Sequence, residues 1–194
     1  MSDLAYQDDD VVKRRLETVD GKIVMMAPPA VSHQRVSGKI YRILANYLAG
    51  KKCAAFADGI HVYLTDKDKF IPDAMVVCDR DIIKPDGIHG APDLVVEVLS
   101  PGTAKRDKIY KKDVYEKCGV KEYWIVSVDS RSIEVFLLKD HKFVPDEVYS
   151  VYEDFELAQL DENEKRAVKY HFSPSMFPEL VINIEDVFSE MFKF

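Results

Sequence analysis

Apolar and polar positions along the chain alternate in short stretches and recur at helical spacing in two long ones. Leu16–Val19 and 22–26 flank Asp20-Gly21, a strong signal for a two-residue hairpin. Pro28-Pro29 then breaks the second strand. Val36, Ile40, Ile43, Leu44 and Tyr47 recur at the spacing of one helix face, which predicts a helix capped by Ser32, running to about Ala49 and stopped by Gly50. Residues 53–57 and 60–64 read as strands on either side of Asp58-Gly59. Residues 70–78, FIPDAMVVC, read as a further strand with Pro72 at its start or edge, because proline donates no ladder hydrogen bond. Residues 79–90 read as a short connection.

The stretch from Pro92 to Trp124 organises the rest. Leu94, Val95, Val96, Val98 and Leu99 form a near-continuous apolar run, as in a central strand covered on both faces. Thr103 and Gly119 bracket the helix expected next, and residues 122–128 and 132–138 read as paired strands. Residues 143–151 continue as a hairpin arm. Residues 152–161 and 164–171 have no clear periodicity. Residues 173–194 end in a short amphipathic helix carrying Val187, Phe188 and Met191. The expected class is α/β, or α+β when strand directions are counted: a mixed sheet with one long helix before its core strands and one after. A length of 194 residues suits one domain, 1–194, with residues 1–10 flexible and Asp8-Asp9-Asp10 a solvated run.

Composition narrows the function classes. Hydrophobic content of 47% with 31% charged residues is ordinary for a globular chain, and no stretch approaches the ~20 apolar residues of a membrane span. The acidic start has no apolar signal core, so a cytoplasmic protein is expected. Three cysteines, Cys53, Cys78 and Cys118, lack zinc-site spacing and are expected to be reduced. A net charge of -7 argues against a general nucleic-acid coater but leaves room for a local basic site.

That basic site lies beside an acid. Glu97 interrupts the apolar run, and a carboxylate in a central strand needs a proton, a cation or a metal. Between Gly102 and Glu122 stand seven bases and four acids. Asp73 lies on another presumed core strand. Two carboxylates brought together repel, a hard divalent cation resolves the repulsion, and oxygen ligands point to Mg²⁺ or Mn²⁺. Such a metal polarises a phosphodiester, and a nearby lysine steadies the developing charge. The strand has Leu99 two positions after Glu97, so the lysine must come from the helix. Asp107, Lys111 and Tyr115 share one stripe at i, i+4 and i+8. Lys111 is the first choice, with Lys108 and Lys112 open by spacing. His33 and Gln34 open the first long helix and are supporting candidates. Asp93 follows Pro92 and reads as a turn residue. Tyr115 reads more readily as core packing than as a catalytic group. Ser100 lacks an adjacent base–acid series, and there is no P-loop and no GxGxxG.

These residues match a known pattern. DGKIV at 20–24, HQRVSGKIYRILANYL at 33–48, PDAMVVC at 72–78, PDLVVEVLSP at 92–101 and the series Asp107, Lys111, Tyr115, Gly119-Val120, Glu122-Tyr123-Trp124 resemble the Uma-two family of putative restriction endonucleases, a branch of the PD-(D/E)XK nuclease superfamily. The resemblance covers about residues 14–139 well. It implies a restriction-endonuclease-like core, Asp73 as the Asp of the PD motif, Glu97 as the second acid and Lys111 as a lysine moved from strand to helix. It also implies Mg²⁺ or Mn²⁺ as cofactor and nucleic acid, DNA in the first instance, as substrate. Many such nucleases pair, and the segment with Phe188, Met191, Phe192 and Phe194 is a candidate homodimer contact or a core cover. Leu99 departs from the usual pattern and keeps a second function in view: a catalytically inactive module on the same fold that binds nucleic acid or a protein partner.

Overall fold

In a computed structural model, the structure describes residues 15–189. The fold is mixed α/β, with two six-stranded sheets flanked by helices. The hairpin comes first: β1 (Leu16–Val19) and β2 (Lys22–Met25) pair antiparallel through Asp20 and Gly21, whose φ angles of 49° and 74° are those of the tight turn expected there. Helix α1 (Val31–Leu48) follows, and Gly50 sits just beyond it at a φ of 75°. Ser32 lies inside the helix rather than capping it. Ala30 occupies the cap position and makes no side-chain hydrogen bond to the helix end.

The main sheet runs in the order β12-β11-β10-β9-β6-β3, formed by β3 (Ala54–Ala57), β6 (Ala74–Val77), β9 (Leu94–Val98), β10 (Glu122–Ser127), β11 (Ser132–Lys139) and β12 (Lys142–Ser150). Its one parallel pair is β9 with β10, and the chain between them is the crossover that carries the second helix. β9 alternates its side chains between two cores. Leu94, Val96 and Val98 face α1, where Val36, Ile40, Leu44, Trp124 and the end helix close one core. Val95 lies with Met75, Tyr115, Tyr123 and Phe70 on the other side, and the period of two puts Glu97 on that side as well.

The smaller sheet, β2-β1-β5-β4-β8-β7, adds β4 (Val62–Tyr63), β5 (Lys69–Phe70), β7 (Ile83–Lys84) and β8 (Gly87–His89). Here the structure corrects the expected strands. Residues 70–78 are not one strand. Phe70 ends β5 in the small sheet, Ala74 begins β6 in the main sheet, and Pro72 stands at the break where no ladder donor is needed. Asp58-Gly59 does not join a hairpin, because β3 pairs with β6 while β4 joins the other sheet. The connection over 79–90 contains β7 and β8, which pair with each other. Residues 154–159 and 162–167 are short helices closed by capping boxes at Glu153/Glu156 and Asp161/Glu164.

The cysteines differ from expectation as well. The antiparallel register that sets Ala54 opposite Val77 brings Cys53 opposite Cys78, Cα atoms 3.9 Å apart, and the two form a disulfide; Cys118 stays free. No helix among the described residues is long and apolar enough to cross a membrane. Phe188 packs into the core beneath α1, as a core cover would. Met191, Phe192 and Phe194 lie outside the described residues, as do residues 1–10.

Glu122, fully buried at the start of β10, ties the C-terminal segment to the sheet. Trp124 Nε1 donates to its Oε1 at 2.6 Å, and the Ser175 amide and hydroxyl donate to Oε2 at 2.7 and 2.6 Å. Burial raises the Glu122 pKa despite these bonds, which favour the carboxylate. Removing one donor raises it further, so the loss grows as pH climbs through the wild type's own raised folded value, which lies above the ordinary glutamate value, toward the variant's still higher one. Ser175→Ala is expected to destabilise the fold by about 1–3 kcal/mol at pH 7 and by less in acid. Urea unfolding at the two pH values checks this; an equal loss at both would contradict it.

Candidate active site

The register of β6 and β9 brings the two sequence-predicted acids to one place. Ala74 pairs with Val96, and the Asp73 amide donates to Val96 O at 3.2 Å. The Asp73 Oδ2 in turn accepts from the Val98 amide at 2.7 Å. Asp73 is thereby tied to the residues on either side of Glu97. Glu97, 3% exposed, receives two donors on Oε1: Lys111 Nζ at 3.0 Å and the Tyr115 hydroxyl at 2.7 Å. Burial raises its pKa well above the glutamate value, with nearby Lys111 working the other way. The Tyr115 hydroxyl thus has a partner in the site, while its ring packs edge-on against Phe70.

The helix that supplies the lysine is unusual at this point. Arg106–Lys111 form a π-helical turn that passes into α2 (Lys112–Cys118), closed by Gly119 at a φ of 89°. Single π turns occur often at functional sites. Asp107 and Lys111 are both buried on this turn, 2% and 1% exposed. Among the lysines that spacing left open, only Lys111 reaches the acids. Lys108 pairs with Glu134 at 2.6 Å, and Lys112 lies 4.2 Å over the Phe136 ring.

Lys111 meets a third carboxylate that was not anticipated from the sequence. Glu17, from β1, is 0% exposed and holds Lys111 Nζ at 2.7 Å on Oε1. The same oxygen accepts from the Ile71 amide at 3.0 Å, and Oε2 lies 3.3 Å from Arg106 Nη2. Asp107 Oδ1 stands 3.6 Å from the lysine. Burial alone would lower the Lys111 pKa, but Glu97, Glu17 and Asp107 outweigh it and raise the pKa above the lysine value. The signal for Glu17 was the one that marked Glu97, an acid among apolar neighbours in a strand. In a strand of only four residues it carried little weight. Arg106 gave no separate signal within the basic helix.

Around this centre lies a cleft of about 490 Å³, walled by Val24–Ala30 on one side and by Ser100–Thr103 on another. His33 enters it with Nε2 3.3 Å from Asp73 Oδ2. Burial opposes the imidazolium, yet the Asp73 carboxylate prevails and the His33 pKa is raised. Asp58, paired with Arg15 at 2.6 Å, also borders the cleft, and burial raises its pKa. Gln34 is exposed and does not line the cleft. Asp93 is structural: it accepts from the Cys78 amide at 2.6 Å and from Lys121 at 2.7 Å, at the far end of the strand.

The donor set suits a hard cation. Glu17, Asp58, Asp73, Glu97 and Asp107 bring carboxyl oxygens to the cleft and its floor, beside Arg15, Arg106, Lys111 and His33. The protein donors to Asp73 and Glu97 fall on Oδ2 and Oε1, and Asp107 Oδ1 is buried without a hydrogen bond. Among the described residues, no three His, Cys, Asp or Glu side chains converge as ligands. Two carboxylates with open positions are what Mg²⁺ accepts, since it keeps several waters and takes substrate phosphate oxygens.

Comparison with known proteins bears on the family and the fold. Two uncharacterized proteins of Synechocystis are similar in sequence. One is 28% identical over 130 residues, 66% of this chain and 68% of its own length. The other is 23% identical over 124 residues, 62% of this chain and 70% of its own. The crystal structure of a putative nuclease belonging to DUF820 from Anabaena variabilis superposes with a TM-score of 0.69 over 91% of both chains at 19% identity, a likeness of fold. The family model described as "Uma2: Putative restriction endonuclease" matches residues 5–167, which takes in β1, both acids and the π turn, and the chain belongs to that family.

Proposed function

We propose that this protein is a metal-dependent nuclease that hydrolyses phosphodiester bonds of nucleic acid, with DNA as the first substrate to test. The observation that supports this most is the convergence of Asp73, Glu97 and Lys111 on one cleft, Lys111 Nζ 3.0 Å from Glu97 although position 99 is leucine. The helix delivers the cation that the strand lacks. Asp73 and Glu97 are the residues that would hold Mg²⁺ or Mn²⁺, which when bound supplies a polarised phosphate and a water of lowered pKa.

The chain's own groups do the rest. Lys111 is held charged by its acids and serves as a fixed cation beside the scissile phosphate, not as a base. Tyr115 and Lys111 together fix the orientation of Glu97 by donating to a single oxygen. His33, its charged form favoured by Asp73, offers a donor to a phosphate oxygen entering the cleft. The buried floor excludes bulk water and strengthens each of these contacts.

Calorimetric titration with Mn²⁺ is expected to show binding in the wild type that is lost in both Asp73→Ala and Glu97→Ala with the fold retained. Repeating the titration with a non-cleavable oligonucleotide covers a site completed by substrate phosphate. Binding of the oligonucleotide that ignores both substitutions and EDTA would favour the non-catalytic module instead. In a hydrolysis assay on single- and double-stranded DNA and RNA, Lys111→Arg is expected to lower kcat about 100-fold or more, because the bulkier guanidinium does not fit the ammonium position among three carboxylates. An unchanged kcat would remove Lys111 from the mechanism.

A further inference from the structure

The acid that no motif marked, Glu17, touches more of the site than any other carboxylate. Its Oε1 accepts from Lys111 Nζ at 2.7 Å and from the Ile71 amide at 3.0 Å. Ile71 is joined through Pro72 to Asp73, so one oxygen meets both the catalytic cation and the backbone that delivers a candidate metal ligand. Its Oε2 faces Arg106 at 3.3 Å. Arg106 also lines the cleft, and its Nε is buried without a hydrogen bond. All of this reaches the site from β1, in the small sheet, whereas Asp73 and Glu97 come from the main sheet.

A buried carboxylate of this kind could serve packing alone. Two features speak against that. Packing would be met more cheaply by an apolar side chain, since a buried ion pair is often no better than well-packed hydrophobic residues. Lys111 also has other acids, Glu97 at 3.0 Å and Asp107 at 3.6 Å, so Glu17 at 2.7 Å is not its sole counter-ion. What Glu17 adds is direction. Without it, Lys111 is drawn only toward Glu97 and Asp107. With it, the ammonium is held between the two sheets, and Glu97 keeps an oxygen for other work.

Resting on the nuclease reading, we propose that Glu17 is a positioning residue: it sets Lys111 in place and couples the lysine to the Ile71–Asp73 backbone, so that the hairpin of the small sheet is part of the catalytic unit. Glu17 does not touch substrate and acts through Lys111.

A double-substitution cycle in the hydrolysis assay tests this. Glu17→Gln keeps an acceptor for the Ile71 amide and removes the charge. It is expected to lower kcat at least tenfold with KM within threefold of wild type. In the double variant with Lys111→Met, kcat is expected to fall no further than in Lys111→Met alone, because Glu17 has nothing left to position. Circular dichroism and urea midpoints check the fold. Glu17→Asp, which keeps the charge on a shorter arm, is expected to give a kcat between Glu17→Gln and wild type, and this series decides the matter where Lys111→Met does not fold. An unchanged kcat in folded Glu17→Gln, or additive losses in the double variant, would overturn the proposal and leave Glu17 a packing residue. A wild type that hydrolyses no substrate overturns the nuclease reading instead, a result distinct from a wild type that is active and indifferent to Glu17.

Discussion

A single ammonium group holds the parts of this molecule in register. Lys111 Nζ lies within 3.6 Å of Glu17, Glu97 and Asp107, which come from the small sheet, the central strand of the main sheet and the lysine's own helix. Removing these charges from water is costly, and the cost is recovered only if every partner is placed well. The cluster therefore constrains the geometry around it: the hairpin must reach the crossover helix, and the helix must face the strand.

The crossover supplies the means. β9 and β10 are parallel, so the chain must leave one edge of the strand and return over the sheet. That return lays a helix above Glu97, and the π turn falls where Asp107 and Lys111 are both buried. The resemblance in sequence implies a pattern in which a strand carries both acid and lysine. Here Leu99, just past the end of β9, stands where that lysine would be, and Lys111 spans the distance from the helix. The proposed chemistry asks for a cation at a point in space, and the backbone that brings it is free to differ.

Pro72 has a comparable role at the other acid. It separates β5 from β6, so that two residues, Ile71 and Pro72, pass the chain from one sheet to the other just before Asp73. The Ile71 amide, which has no place in either ladder, is satisfied by Glu17. The need to satisfy a backbone donor at a sheet junction and the need to hold a lysine are met by the same carboxylate.

Much of this was legible from the chain alone. The alternation of apolar residues marked β9 and the period of α1, Asp20-Gly21 marked the hairpin, and a lone acid in an apolar run marked Glu97. These are local signals, set by strand and helix periods and by turn geometry within a few residues. Asp73 and Lys111 gave weaker signals, an acid on a second core strand and the first choice among three helix lysines, and the resemblance then assigned each a place in a motif. The division of the strands between two sheets, the pairing of Cys53 with Cys78, the place of Glu17 and the exclusion of Gln34 from the cleft were decided by tertiary structure. The disulfide joins residues 25 positions apart and the Glu17–Lys111 contact residues 94 apart, and the others depend on strand pairing or on which face a segment turns inward. No periodicity carries that information; it arises when two sheets and a helix close around one buried charge.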